Sequence, residues 1–566
     1  MSSISRRSLF KNTAALAVVG ATVGAFASAC STATTASPAA GAPFDLQGIP
    51  AVDDTISGHI KHIQNLAARL PGDWSLMGIE DPVQFSFSGY RFQLPHMAYA
   101  LASAHYHRLP AAPGYFRSSY ESLMSKMMRT DVWFSWMDHS MSGVRFDPDI
   151  TELRQPWADP LRKENIMFSG HVLAMTGYHN MLFNSDKYEQ PGSLRFERNL
   201  ISGGLTGEDE VYEYDFGSLT KNIFKQMEEN QWVGVPCEPN CIFQLCNQFP
   251  IIGMRFHDHR HGTDFADVTT RNYSRKWSEL GWLDKNGQFN QMYMPKQKMI
   301  TPDMYMGPWL HPYMNTWNGK MMRETYPQQS QGILRHVNAE QAYTWPFDVL
   351  PEVRKREQGG QSTDDIDLSG TSPKERFGYS AVWLSEMGDT DLDKMLAYAD
   401  ARFSPTWLDG GLYYPRNDQI VGADGHMTYC DPKTGNALLA QARINVEDGY
   451  QKMYQQPWTE DHFAKPSFET VDGDIYVTRA AYSQDERALV LTASPVRAGA
   501  TTDIKLEVPR AAIGSRWELF LGNESVLDND IRESDSSGRV QANWADDRIT
   551  LNTSIDDTTT VTLKWT

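Results

Sequence analysis

At 566 residues and 41% hydrophobic content, the chain exceeds one ordinary core and calls for two folded domains, or a large one with a smaller companion. Its formal charge of −18, from 52 basic and 70 acidic side chains, repels phosphate backbones and argues against a nucleic-acid partner. The 16 Trp, 24 Tyr, 25 Phe and 25 Met suit an apolar cavity as well as ordinary core filling.

The chain opens on "SRRSLFK" (Ser5 to Lys11), whose twin arginines precede the apolar run "AALAVVGATVGAFA". This reads as a twin-arginine export signal, and the run is too short and too rich in Gly and Ala for a membrane span. It ends in "FASAC", where Ala27-Ser28-Ala29 is an A-x-A cleavage site and also a weak lipobox before Cys30. The expectation is a leader over residues 1–29, a flexible linker over 30–52, and a periplasmic or other extracytoplasmic location. A membrane tether through an acylated Cys30 is the alternative to simple cleavage.

From 53 to 455 apolar residues recur at three and four, and the breaks carry Gly, Pro or Asp. The runs include "ISGHIKHIQNLAARL", "HMAYALASAHYHRL", "NIMFSGHVLAMTGYHNML", "CIFQLCNQFPIIGMRFHDHRHG" and "FGYSAVWLSEMG". So many helices suit a ring of helical hairpins better than a four-helix bundle. Long loops interrupt them, notably "YEQPGSLRFERNLISGGLTGEDEVYEYD" and "NDQIVGADGHMTYCDPKTG", and loops of that length usually build site walls. Over 466–566 the period changes to two. Seven runs from "DIYVTRAAYS" to "TTVTLKWT" predict a small antiparallel β-sandwich. The fold class is therefore mainly α, a helical barrel followed by this sandwich.

Three motifs carry chemistry. "FHDHRHG" spaces His257, His259 and His261 as a metal site would, but the run closes a helical pattern before Gly262, and histidines in a last turn meet the negative helix end favourably. No metal is expected there. "CEPNCIFQLC" gathers Cys237, Cys241 and Cys246, three of the five cysteines. A disulfide and a pair of reactive thiols both stay open. If Cys246 lies two turns inside a helix that follows Cys237, the backbones are too far apart for a bond. "KENIMFSGH" sets Met167 and His171 four apart, on one helix face.

Taken in order, "KENIMFSGHVLAMTGYHNMLFNSDKYE", "VPCEPNCIFQLCN", "HGTDF", "GPWLHPYMNTW" and "LSEMGD" resemble the bacterial linalool dehydratase-isomerase family over roughly residues 90–450. The resemblance implies an (α/α)6 barrel with an apolar pocket, no metal or organic cofactor, and dehydration of a tertiary or allylic unsaturated alcohol such as a terpene alcohol, with or without isomerisation. It places catalytic roles on Cys237, Cys246 and His171. It places pocket roles on Met167 and Tyr313, with Glu238 beside the first cysteine. A further pocket tyrosine falls on Phe92 or, by a shift, on Tyr90. The family also uses an acid that a neighbouring subunit of a ring contributes, and here Asp73 is the candidate, so a homo-oligomer is implied.

The chemistry fits these side chains. Expelling hydroxide needs a proton donor, and a base must then remove a C–H proton to give the alkene. A thiol beside a histidine serves as either, and aromatic and Met walls would stabilise a developing allylic cation while excluding water. Two other readings remain: a secreted carbohydrate-active enzyme, lyase or glycosidase, and a catalytically dead ligand-binding lipoprotein. A glycosidase needs two opposed carboxylates, and the sequence offers no convincing pair.

Overall fold

The computed structural model describes residues 41–78, 87–204, 207, 209–302, 306–372, 376–509, 516–528, 538–545 and 547–565. The expected leader and Cys30 lie outside them. The second half of the expected linker lies inside. Residues 41–52 form no helix or strand, yet the Val52 amide donates to the Thr478 carbonyl at 2.9 Å, and Arg479 Nε donates to the Ile49 carbonyl at 2.9 Å.

The periodic runs form helices, among them Asp54–Ala68, Tyr90–Ser103, Pro113–Met127, Ile166–Phe183, Phe216–Glu229, Gln248–His261, Phe265–Leu280, Gly307–Ser330, Arg376–Met387 and Asp391–Arg402. Ile166–Phe183 is buried along its whole length. Such a helix shows no polar face because it has none. It lies against Gln248–His261 through small residues. A Cβ on Gly170 would stand 2.7 Å from Pro250 Cδ, and one on Gly253 would stand 2.5 Å from Leu173 Cγ. Close backbone approach there requires glycine.

The "CIFQLCNQFPIIG" run departs from its helical reading. The helix starts only at Gln248, and Ile242–Phe243 is a strand that pairs with Met292–Met294, itself paired with Met299–Thr301. Cys246 therefore sits in the turn before the helix, not two turns within it. Asn247 causes this. Its Oδ1 accepts from the Val235 amide at 2.8 Å, and its Nδ2 donates to the carbonyls of Val235 and Phe243. A long stretch read as loop also holds structure: the hairpin Leu194–Arg198 with Glu210–Tyr214.

All seven alternating runs after residue 466 are strands, joined by Thr470–Asp472 and Glu524–Asp528. They form two antiparallel sheets. One runs Thr470–Asp472, Thr502–Pro509, Arg548–Ile555, Val540–Trp544. The other runs Ile475–Ser483, Ala488–Pro495, Thr559–Trp565, Trp517–Leu521, Glu524–Asp528. Ile504, Leu506 and Val508 alternate inward as expected, whereas nearly all of Ala488–Pro495 is buried because that strand is covered on both faces. One apolar core runs from the helices into both sheets. Backbone bonds cross the junction: Phe468 N–H to Ala111 at 2.7 Å, and Gly114 N–H to Phe468 at 3.1 Å. Among the described residues no helix is long and apolar enough to cross a membrane.

Candidate active site

The start of the buried helix is tied to the cysteine loop. Glu164 and Asn165 both take left-handed backbone angles, φ 57° and 52°. Arg154 holds Glu164 through two bonds of 3.0 Å, and the Asn165 amide donates to the Cys237 carbonyl at 3.0 Å. Cys237 N–H donates in turn to Cys241, and Cys241 N–H to Glu238, both at 2.9 Å, with Asn240 left-handed at the tip. On the other side Gly234, at φ 134°, passes so near the Asn247 side chain that a Cβ would stand 2.7 Å from it. Cys237 and Cys246 are thereby fixed side by side.

Both thiols face a cavity of about 330 Å³. Glu238 and Arg91 share that end of it, and Met167 lies in the wall. Trp136 and His139 come from the helix Ser135–Met141, and Trp309 and Leu310 from the start of Gly307–Ser330. The remaining surface is largely apolar, with Phe92, Phe243 and Phe289 prominent.

Among the described residues the four cysteines are all free. The Cys237 thiol stands close enough to the Glu238 carboxyl and the Cys246 thiol to influence the proton affinity of each. Burial pushes the Cys246 thiol well above its ordinary value, and the neighbouring Cys237 adds to this. Burial also raises the Glu238 carboxyl, against the pull of the Arg91 guanidinium. Cys241 is different. It is buried with Met292 and Met294, away from the cavity, and burial lifts its thiol to about 12.

Of the residues singled out from the sequence, the structure gathers Cys237, Cys246, Glu238, Met167 and Phe92 around this space. His171 lies behind it, fully buried. Its Nδ1 meets the Tyr99 hydroxyl at 2.8 Å, and its ring stands 3.9 Å from that of Phe249 and edge-on to Phe92. Burial drives this imidazole well below its ordinary value, so it is neutral. Tyr313 is also behind the wall, its hydroxyl 3.0 Å from His96 Nδ1 and 2.9 Å from Gln441 Nε2. Tyr90 stacks on Trp74 at 4.2 Å and does not line the cavity. Asp73 is on the surface, where it accepts from Ser75, and contributes nothing to this chain's own cavity. The histidines of "FHDHRHG" are each engaged locally: His257 with Thr263 at 3.0 Å, His259 with the Trp458 carbonyl at 2.8 Å, and His261 with Glu189 at 3.1 Å.

Sequence reasoning missed Arg91, Trp136, His139 and Lys433. Arg91 stands between two residues it did select, and a lone arginine at the head of an aromatic helix was the available signal. Lys433 lay in a stretch noted only as a long loop.

A helical protein with paired free thiols and a carboxyl in an apolar chamber is the class these features define. The chain belongs to the linalool dehydratase/isomerase family, whose model matches residues 91–420. Solved structures similar to it include an alpha-1,6-mannanase of Salegentibacter sp. HEL1_6, at 10% identity over 70% of this chain and 99% of that one, TM-score 0.37. Another is a GH127 beta-L-arabinofuranosidase from Geobacillus Stearothermophilus T6, at 12% identity over 90% and 76%, TM-score 0.21.

Proposed function

We propose that this protein dehydrates a small, neutral, unsaturated alcohol, tertiary or allylic at the carbinol carbon, without a cofactor. One observation carries the reading: a carboxyl and two thiols, Glu238, Cys237 and Cys246, stand together at the edge of an apolar space large enough for a ten-carbon guest. Burial keeps Glu238 protonated closer to neutrality, which suits a general acid. Glu238 gives its proton to the leaving hydroxyl, and water departs. The Cys237 thiol returns a proton to the Glu238 carboxylate. As these protons move, the developing thiolate, held by the Cys246 S–H and the Arg91 charge, removes the C–H proton next to the carbinol carbon in step with C–O cleavage. Both side chains end as they began, and the products are an alkene and water. His171 serves from behind the wall by fixing Phe92 and Phe249, not as a proton carrier.

The finer architecture belongs to the same reading: an (α/α)6 barrel over 53–455 and the two C-terminal sheets as one sandwich. So does its placement: export through the twin-arginine leader, with Cys30 as a point of lipid attachment, and assembly into a homo-oligomer that brings the surface Asp73 to a neighbour's cavity. A glycosidase is disfavoured, since among the described residues lining the cavity Glu238 is the sole carboxylate. The test is gas chromatography of the headspace after incubation with small tertiary allylic alcohols. Diene is expected from the wild type and not from Glu238→Gln or Cys237→Ala, both still folded by circular dichroism. Diene at wild-type rate from either variant would defeat the proposal.

A further inference from the structure

Lys433 has no part in the catalytic scheme, yet it is fully buried directly behind the cavity wall. Its Nζ donates to the Tyr379 hydroxyl at 2.7 Å and to the Phe87 carbonyl. The same nitrogen stands 4.3 Å from the centre of the Tyr379 ring, 5.0 Å from Trp309 and 5.3 Å from Phe92. Phe92 and Trp309 line the cavity and meet each other edge to face at 5.7 Å, and Tyr379 is stacked on Trp309 at 4.4 Å. Phe92 meets a second cation, the Arg91 guanidinium, at 4.8 Å.

An aromatic face attracts a cation through its quadrupole. A ring already serving one ammonium offers less to another, because the two like charges face each other through or around the same π density. Glu238 offsets Arg91 at the thiol end of the cavity. Lys433 acts on the aromatic wall itself. The sequence-based expectation that this wall stabilises an allylic cation therefore meets a wall whose rings are engaged elsewhere.

We propose that Lys433 is the residue that makes this cavity select neutral guests over cationic ones. This rests on the cavity's being the substrate site. It implies that C–O cleavage and C–H deprotonation proceed in step, so that full positive charge does not accumulate beside Phe92 and Trp309.

The experiment is calorimetric titration of the full chain with two isosteric probes, 7,7-dimethyloctan-1-ol and (6-hydroxyhexyl)trimethylammonium, in wild type, Lys433→Met and Lys433→Gln. The neutral probe is expected to bind the wild type more tightly. In both variants the preference should fall by about tenfold through recovered binding of the ammonium probe, the neutral probe being little affected. An unchanged preference in either folded variant overturns the proposal. So does a wild type that binds the ammonium as tightly as the alcohol, which needs no variant to observe. If neither probe binds the wild type, the cavity is not the guest site, and the proposed function fails with it. A failed preference with both probes bound removes only the role of Lys433.

Discussion

Glu386, in the "LSEMGD" stretch, offers a sharp test of the packing that supports the site. It is fully buried in Arg376–Met387 and accepts four hydrogen bonds: from Asn315 Nδ2 and Asn445 Nδ2 at 2.9 Å, the Tyr450 amide at 3.0 Å and the Gln451 amide at 3.2 Å. It thus ties Gly307–Ser330, whose first turn supplies Trp309 to the cavity, to the segments around 445 and 450. Burial nevertheless pushes its carboxyl from 4.5 up to about 7. Below pH 4.5 both folded and unfolded chains hold this proton, and the contribution is fully present. Between 4.5 and 7 the unfolded chain releases it while the folded one retains it, so stability falls as pH rises, then levels off. At about 1.4 kcal/mol per unit, the loss between roughly pH 5 and pH 8 is about 2.5 kcal/mol from this one group. Urea unfolding of wild type and Glu386→Gln at both pH values isolates it, because other groups titrate alike in the two proteins. The wild type should lose about 2.5 kcal/mol relative to the variant on going to the higher pH. A gap between the two proteins that stays constant with pH would refute a protonated, buried Glu386.

Three further outcomes are expected. Gly253→Ala would place a methyl 2.5 Å from Leu173 Cγ and 2.7 Å from the Leu173 carbonyl oxygen, so it should cost about 1–3 kcal/mol in chemical denaturation and lower turnover by shifting Met167. Glu238→Gln and Cys237→Ala should each reduce kcat by about 10²–10⁴-fold with KM nearly unchanged, read by steady-state diene release. A mild thiol oxidant should join Cys237 to Cys246, seen as a peptide cross-link by mass spectrometry, abolish turnover and be reversed by dithiothreitol, while Cys241 stays reduced among Met292 and Met294.

The periodicities located the main helices and all seven C-terminal runs because burial on one face leaves a trace in spacing. Where burial covers every side, the trace vanishes: Ile166–Phe183 shows no polar face, and Ala488–Pro495 barely alternates. The turn that holds Cys246 looked helical because Ile242, Leu245, Cys246 and Phe249 are spaced as a helix face would be. Only the bonds from Asn247 to Val235 and Phe243 decide otherwise, and they are tertiary facts. The same divide separates the site residues. Cys237, Glu238 and Cys246 were legible as a local cluster. Arg91, His139 and Lys433 reach the cavity or its wall from distant segments, and beyond the position of Arg91 between Tyr90 and Phe92 nothing in their own neighbourhoods marks them. His171 was selected as a catalytic residue and Tyr313 as a pocket residue, and their hydrogen bonds instead go to Tyr99, His96 and Gln441 behind the cavity.

Among the described residues, every side chain that borders the cavity comes from the stretch between Phe87 and Leu310. The bonds at Ala111 and Gly114 make the terminal sheets a fixed abutment to that stretch. Exchange of this single gene fragment between relatives would therefore carry an entire binding contour from one protein to another. Lys433 and the sheets would remain as a constant frame, which gives directed evolution of the guest preference one contiguous target.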